Sequence, residues 1–193
     1  PATLKKTELC VELSNGDLVR SEGAIDKPDY DRSLRITKAW LEPEGEIFFG
    51  AKQAIQKAEY IVLGPGSLYT SIIAAILPLG VKEAIKNSSA KLIYAAGNAY
   101  RTDGETGPKR LSGFIKELQQ YLPRKIDYVL YNNHLHNEEE KEKYKEKRWA
   151  VVVDDTKDMK GYNVMSRDYE RAGGGLSSIK LAEILKEVVL GDK

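Results

Sequence analysis

The sequence predicts an α/β protein: a Rossmann-like, mainly parallel sheet with helices on both faces, plus a small N-terminal antiparallel β extension. Three observations predict it. From residue 50 onward, short apolar runs alternate with stretches of helical spacing, the pattern that buries a parallel sheet beneath its crossover helices. Before that point, alternating runs flank Asn15-Gly16, a hairpin turn signal. Between the two parts, the run Glu59 to Leu63 stops at Gly64-Pro65-Gly66, and a hydroxyl-rich stretch then opens an apolar helix. That order is a strand, a tight loop and a helix N-terminus.

The elements follow in order. Thr7 to Leu13 alternates and reads as a strand, and Asp17 to Ile25 as its returning partner. Asp26 to Arg32 is polar, contains Pro28 and reads as a loop; Leu34 to Leu41 reads as a third strand. Phe49 to Ala58 has helical spacing ahead of the strand ending at Leu63. Thr70 to Leu77 is an apolar helix stopped by Pro78, and Val81 to Asn87 a short helix. Lys91 to Ala96 is an apolar strand. Leu111, Phe114, Ile115, Leu118 and Leu122 recur at helical spacing. Asp127 to Tyr131 and Trp149 to Val153 read as strands, and Leu176 to Val189 as a final amphipathic helix. Glu138 to Arg148 is almost wholly charged with alternating signs; i,i+4 pairs on a solvated helix account for it. The expected organisation is one α/β domain, with residues 1–48 as the β extension and 49–193 as the α/β part.

Composition narrows the function classes. The 193 residues are 41% hydrophobic and 31% charged, with a net charge of +1. There is no bulk electrostatic case for nucleic acid or an anionic membrane. A single cysteine, Cys10, excludes an internal disulfide and a multi-cysteine zinc site. It reads as a small buried hydrophobe in a strand. No apolar run approaches the roughly 20 residues of a membrane span. No signal peptide is recognisable, so a cytoplasmic setting is expected.

The candidate site begins at the Gly64-Pro65-Gly66 loop. The first turn of a helix has unpaired N–H groups and the positive end of the dipole, which suits phosphate or carboxylate. Gly64 and Gly66 let the backbone turn and a ligand approach closely. Ser67, Thr70 and Ser71 add hydroxyls. The loop is neither a P-loop nor a G-x-G-x-x-G fingerprint, and a plain turn with a Thr70 or Ser71 cap remains the alternative.

In open α/β sheets, ligands bind beyond the carboxyl ends of the strands. Three loops follow apolar strands: Gly64 to Ser71, Gly97 to Thr106 and Asn132 to Asn137. All three are expected at one sheet edge. In the second, Asn98 offers a paired donor and acceptor, Arg101 a bidentate phosphate contact, and Thr102, Glu105 and Thr106 further polar groups. The alternative there is a solvated loop turning at Asp103-Gly104. In the third, Asn132 or Asn133 is a more plausible ligand contact than His134 or His136, since two histidines at i and i+2 are a weak metal signal. No metal site is expected. Gly173-Gly174-Gly175 reads as a linker or a second anion loop, with Arg171 beside it as a phosphate candidate.

Gly64-Pro65-Gly66-Ser67-Leu68-Tyr69-Thr70-Ser71-Ile72-Ile73 closely resembles the signature of the gluconeogenesis factor family, a relative of the 2-phospho-L-lactate transferases of deazaflavin cofactor synthesis. Gly97-Asn98-Ala99-Tyr100-Arg101-Thr102-Asp103-Gly104-Glu105-Thr106 resembles the family's Asn-x-x-[TR]-x-x-Gly-Glu-Thr motif. Pro1 to Glu22 resembles a further family segment. The resemblance implies a nucleotide-sugar ligand such as UDP-N-acetylglucosamine, with contacts that include Leu68 and Tyr69. It also implies a regulatory role in carbon use and cell-envelope synthesis, which bears on cell shape. The alternative it implies is a phospholactate transferase-like enzyme using Mg²⁺ and a guanylated donor. Against that stands the wording here, since those enzymes typically carry Gly-Pro-Ser-Asn-Pro at the loop. Two departures stand out. Gly107-Pro108-Lys109 replaces the family's Asp-Gly-Tyr, which removes an aromatic at Lys109, and Ala74 stands where proline is usual.

The family sequence begins upstream with a Gly-Gly-Thr-Gly loop that this chain lacks. The resemblance therefore implies part of a larger domain, completed by an N-terminal segment, a second chain or a homo-oligomer.

Overall fold

The computed structural model describes residues 1–191. Strand β1 (Glu8–Leu13) pairs antiparallel with β2 (Leu18–Arg20). The turn between them has Gly16 at φ +90°, and the Asn15 side chain accepts the Asp17 N–H at 3.0 Å. The second strand is shorter than the pattern Asp17 to Ile25 predicts. Ser21 ends it, because its hydroxyl accepts the Ala24 N–H at 3.3 Å and caps a short helix, α1 (Glu22–Asp26). Strand β3 (Ile36–Glu42) pairs on the other side of β1, giving the order β2-β1-β3.

Helix α2 (Phe49–Lys57) leads into β4 (Tyr60–Leu63). The next helical stretch starts at Leu68, two residues ahead of its predicted start. It is wound as a π-helix over Leu68–Ile73 and continues as α3 (Ala74–Ile76). Then come α4 (Val81–Lys86), β5 (Lys91–Ala95), β6 (Ala99–Arg101), α5 (Leu111–Tyr121) and β7 (Tyr128–Asn132). Helix α6 (Glu138–Glu146) is closed by a capping box between Asn137 and Glu140. Strands β8 (Trp149–Val151) and β9 (Val164–Arg167) precede the final helix α7 (Ser178–Gly191).

The main sheet has the order β4-β5-β7-β9, and every pairing is parallel. Side chains of β5 divide between its faces as the period of two requires. Ile93 and Ala95 meet Leu181, Ile184 and Val188 of α7, whereas Leu92 and Tyr94 join Ile72, Ile73, Leu111, Ile115 and Leu118 on the other side. Val11, Leu13 and Ile36 of the β extension belong to that second cluster. Two tyrosines tie the extension down: Tyr121 Oη accepts the Ala39 N–H at 2.9 Å, and Tyr69 Oη donates to Ile36 O at 3.3 Å.

Two strands escaped the sequence reading. β6 lies inside the expected binding loop and pairs antiparallel with β8, making a separate two-stranded sheet. Strand β9 is only four residues long and carries serine and arginine, so it lacks an apolar signature. Among the described residues, no helix is long and apolar enough to cross a membrane.

Candidate functional site

The parallel register brings the carboxyl ends of β4, β5 and β7 to one edge of the sheet. A cavity of about 440 Å³ opens there. Its wall includes Pro65, Gly66, Ser67 and Leu68 from the loop after β4, and Gly97, Asn98, Arg101, Gly104 and Glu105 from the loop after β5. Two of the three predicted loops therefore share one cavity.

The two glycines of the first loop have different jobs. Gly64 sits at φ +86°, and a Cβ there would lie 2.7 Å from the Ala95 carbonyl oxygen. It is required by the turn itself. Gly66 has no such backbone constraint but lines the cavity, so its missing side chain is space for a ligand. Leu68 is buried and also reaches the cavity wall. Tyr69 is a core residue: it is 2% exposed, and its hydroxyl donates to Glu117 Oε2 at 2.5 Å. Burial, with the Glu117 carboxylate beside it, pushes the phenol far above its ordinary range. Thr70 and Ser71 do not line this cavity.

The helix N-terminus after this loop is already occupied by a carboxyl group from the chain itself. Glu105 accepts the Tyr69 N–H at 3.1 and 3.2 Å and the Thr70 N–H at 3.0 Å. Burial raises the Glu105 carboxyl above the ordinary carboxylate value, and the amide donors of Thr70, Tyr69 and Leu68 partly offset this. Glu105 thus links the two binding loops. The amide ends that the sequence offered to a phosphate are its partners.

Arg101 lines the cavity but is held by carboxylates, with Nη1 3.2 Å from Asp26 and Nε 3.1 Å from Asp103. Asp26, at the end of α1, also forms part of the wall. Thr102 turns away: its N–H and hydroxyl both donate to Arg148 O, at 2.8 and 3.1 Å. Thr106 is buried against the Tyr30 hydroxyl at 3.1 Å. Gly107 and Pro108, where the family motif departs, do face the cavity.

The third loop lies behind the cavity wall. Asn132 is 5% exposed, and both ends of its carboxamide are bonded internally. Its Nδ2 donates to Glu170 at 2.8 Å, and its Oδ1 accepts the N–H groups of Tyr169 at 3.1 Å and His134 at 3.3 Å. Arg171 donates to Gly174 O at 3.0 and 3.3 Å and stabilises the glycine turn beside the cavity. The expectation that Asn132 to Asn137 shares the cavity is corrected by this placement: none of these residues is on its wall, and the carboxamide of Asn132 is taken up by Glu170 and by backbone N–H groups. Among the described residues, no three His, Cys, Asp or Glu side chains are grouped to hold a metal ion.

Three aromatic residues that the sequence did not single out as ligand contacts line the cavity: Tyr100 of the second motif, Phe114 and Trp149. They come from β6, α5 and β8, and the β6–β8 pairing sets Tyr100 opposite Ala150 and Trp149 opposite Arg101. The arrangement suits a flat ring against the aromatics, with polar contacts to Asn98, Ser67 and backbone groups.

A model of the family described as 2-phospho-L-lactate transferase CofD matches residues 1–169. The chain belongs to this family. Within it, the chain is 31% identical over 162 residues to the gluconeogenesis factor of Bacillus subtilis, covering 83% of this chain and 50% of the relative. It is 33% identical over 160 residues to that of Halalkalibacterium halodurans, covering 81% and 48%. A crystal structure of a Bacillus halodurans protein superimposes with a TM-score of 0.85 at 27% identity, covering 97% of this chain and 61% of the other. The chain spans about a quarter to a half of the length of the curated relatives it matches, 38% in the case of a Thermotoga maritima protein. The family motifs read from the sequence at Gly64 to Ile73 and Gly97 to Thr106 sit on the two loops of the cavity.

Proposed function

We propose that this chain binds a nucleotide, most favourably a nucleotide sugar of the UDP-N-acetylglucosamine kind, and acts as a regulatory protein of the gluconeogenesis factor type in the cytoplasm. One observation carries the reading: residues of both family motifs line a single cavity whose wall also includes three aromatic residues. The base stacks on that aromatic wall, and the diphosphate lies toward Gly66, Ser67 and Arg101. Regulation of carbon use and of the cell envelope follows from the names of the relatives and from the family resemblance.

The phosphate assignment is testable at Arg101. Arg101→Ala should weaken UDP binding by about 1.5–3 kcal/mol, the range for hydrogen bonds to charged groups. Uridine binding should change far less. Equal losses for UDP and uridine in calorimetry would remove Arg101 from the phosphate site.

The transferase alternative needs Mg²⁺. The two cavity carboxylates do not fit that task, since Asp26 is paired with Arg101 and Glu105 is held by backbone amides.

The proposal includes a complementary segment. Strand β4 is paired on one side only, and Val62 on it is 44% exposed. Beside it runs an apolar groove of about 310 Å³ whose lining includes Ile55, Ile61, Ile72, Ile76 and Val81. An open apolar strand edge invites another strand. The occupant fitting the family resemblance is a strand from the part of the family sequence that this chain does not span. The 193-residue chain alone should bind UDP-N-acetylglucosamine measurably but weakly and should self-associate. A well-behaved monomer by light scattering with micromolar affinity would overturn this.

A further inference from the structure

Behind the cavity, one carboxylate organises the polar wall. Glu170 is 4% exposed. It accepts from four donors: Asn98 Nδ2 at 2.5 Å, Asn132 Nδ2 at 2.8 Å, the Tyr144 hydroxyl, and the Gly175 N–H at 2.9 Å. His136 lies alongside, with Nε2 3.7 Å from Glu170 Oε1 and no hydrogen-bond partner. An ionised carboxylate is an acceptor only. Asn132 cannot turn over, because its other end receives two backbone N–H groups and must be oxygen.

Asn98 is then fixed as well. Its Nδ2 faces Glu170 Oε2 and, at 2.7 Å, the Tyr144 hydroxyl oxygen. Turned over, it would set a carbonyl oxygen against a carboxylate. Both amide hydrogens are therefore taken inside the protein. Asn98 lines the cavity, and its Oδ1 has no hydrogen-bond partner among the described residues, yet it is not one of the enclosed polar atoms left unpaired. That oxygen opens to the cavity.

We propose that Glu170 is a positioning residue that locks the Asn98 carboxamide with its oxygen toward the cavity, so that the site takes a ligand hydrogen-bond donor, an N–H or a hydroxyl, at this point. The ligand side of this inference rests on the nucleotide reading above. The lock itself does not. A base edge offering only acceptors meets a like dipole there, and the unpaired acceptors disfavour it.

Two arms test it. In the ligand-free protein, NMR should show both Asn98 side-chain amide protons protected from solvent exchange. Glu170→Met, which keeps length and removes the acceptor, should expose them. Fast exchange in the unaltered protein overturns the lock, whether or not any nucleotide binds. In the second arm, UDP affinity is measured by calorimetry on Asn98→Ala, Glu170→Met and the double variant. Each single change should weaken UDP by about tenfold, or about 1.4 kcal/mol, and the double variant should be no weaker than Asn98→Ala alone. A Glu170→Met loss that persists in full on the Asn98→Ala background overturns a role through Asn98. If Glu170→Met loses its cooperative thermal transition, Tyr144→Phe takes its place in both arms, since it removes the second acceptor of Asn98 Nδ2. The donors of UDP are N3–H and the 2′ and 3′ hydroxyls. For one of N3-methyl, 2′-deoxy or 3′-deoxy UDP, the Asn98→Ala loss should vanish. Full loss with all three shows that no ligand donor meets Asn98. Absence of UDP binding to the unaltered protein removes the nucleotide reading and leaves the exchange arm to decide the lock.

Discussion

Replacing Gly66 by valine is expected to abolish nucleotide-sugar binding while the fold survives. The backbone at Gly66 does not need a positive φ, so valine is not excluded by conformation. A Cβ there would lie 3.2 Å from Ser71 Cβ and 3.8 Å from Ile72 Cγ1. Ser71 is exposed, so a shift of a few tenths of an ångström relieves that contact at modest stability cost. The two γ-methyls then stand at the cavity wall where the ligand must approach the backbone. Gly64→Ala makes the contrast. At φ +86°, facing the Ala95 carbonyl at 2.7 Å, it should cost about 1–3 kcal/mol through backbone strain. Calorimetry with UDP-N-acetylglucosamine and thermal unfolding on both variants separate the two effects. Unchanged affinity in Gly66→Val, or a larger loss of stability there than in Gly64→Ala, refutes this division of labour.

The sequence made the large units legible because each is a local pattern. The three core strands of the parallel sheet, the hairpin at Asn15-Gly16 and the amphipathic helix carrying Leu111, Ile115 and Leu118 all follow from periodicity and turn chemistry. The motif loops were legible as loops. What they do in space was not, because it depends on contacts between residues far apart in the chain. Glu105 reads as a polar ligand candidate in sequence, yet its partners are the amides of Tyr69 and Thr70, more than thirty residues earlier. Tyr69 sits in a binding motif but points its ring into the core, where Glu117 receives its hydroxyl. Asn132 follows an apolar strand as a ligand residue should, and is instead enclosed by Glu170 and Tyr169. The strand at Trp149 was legible but its partner β6 was not, because three residues inside an expected loop carry too few positions for a period to show, and only the pairing of β6 with β8 puts Tyr100 and Trp149 on one two-stranded sheet.

Glu105 should be the most consequential polar side chain of the site, and its variants should differ by type and by pH. Glu105→Ala leaves the Tyr69 and Thr70 N–H groups without their partner at a part-buried helix start. A stranded buried donor costs about 1–3 kcal/mol, so a loss of roughly 2–6 kcal/mol is expected for the two, together with loosening of the loop after β5. Glu105→Gln keeps an acceptor and removes the buried charge, so its loss should be much smaller. The pH dependence has a definite sign. The folded-state pKa of Glu105 is raised above its ordinary value of 4.5, chiefly by burial. A carboxyl raised on folding adds stability that is fully present below the unfolded pKa and is lost as pH rises through the folded one. The glutamine variant lacks this titration. The stability of Glu105→Gln relative to the unaltered protein should therefore increase as pH is raised from about 4 through the neutral range. Urea denaturation of both proteins across that range measures the difference directly, and the other carboxylates cancel. A difference that is flat, or that falls with rising pH, would mean that the amide donors outweigh burial and that Glu105 is held as a stabilised anion.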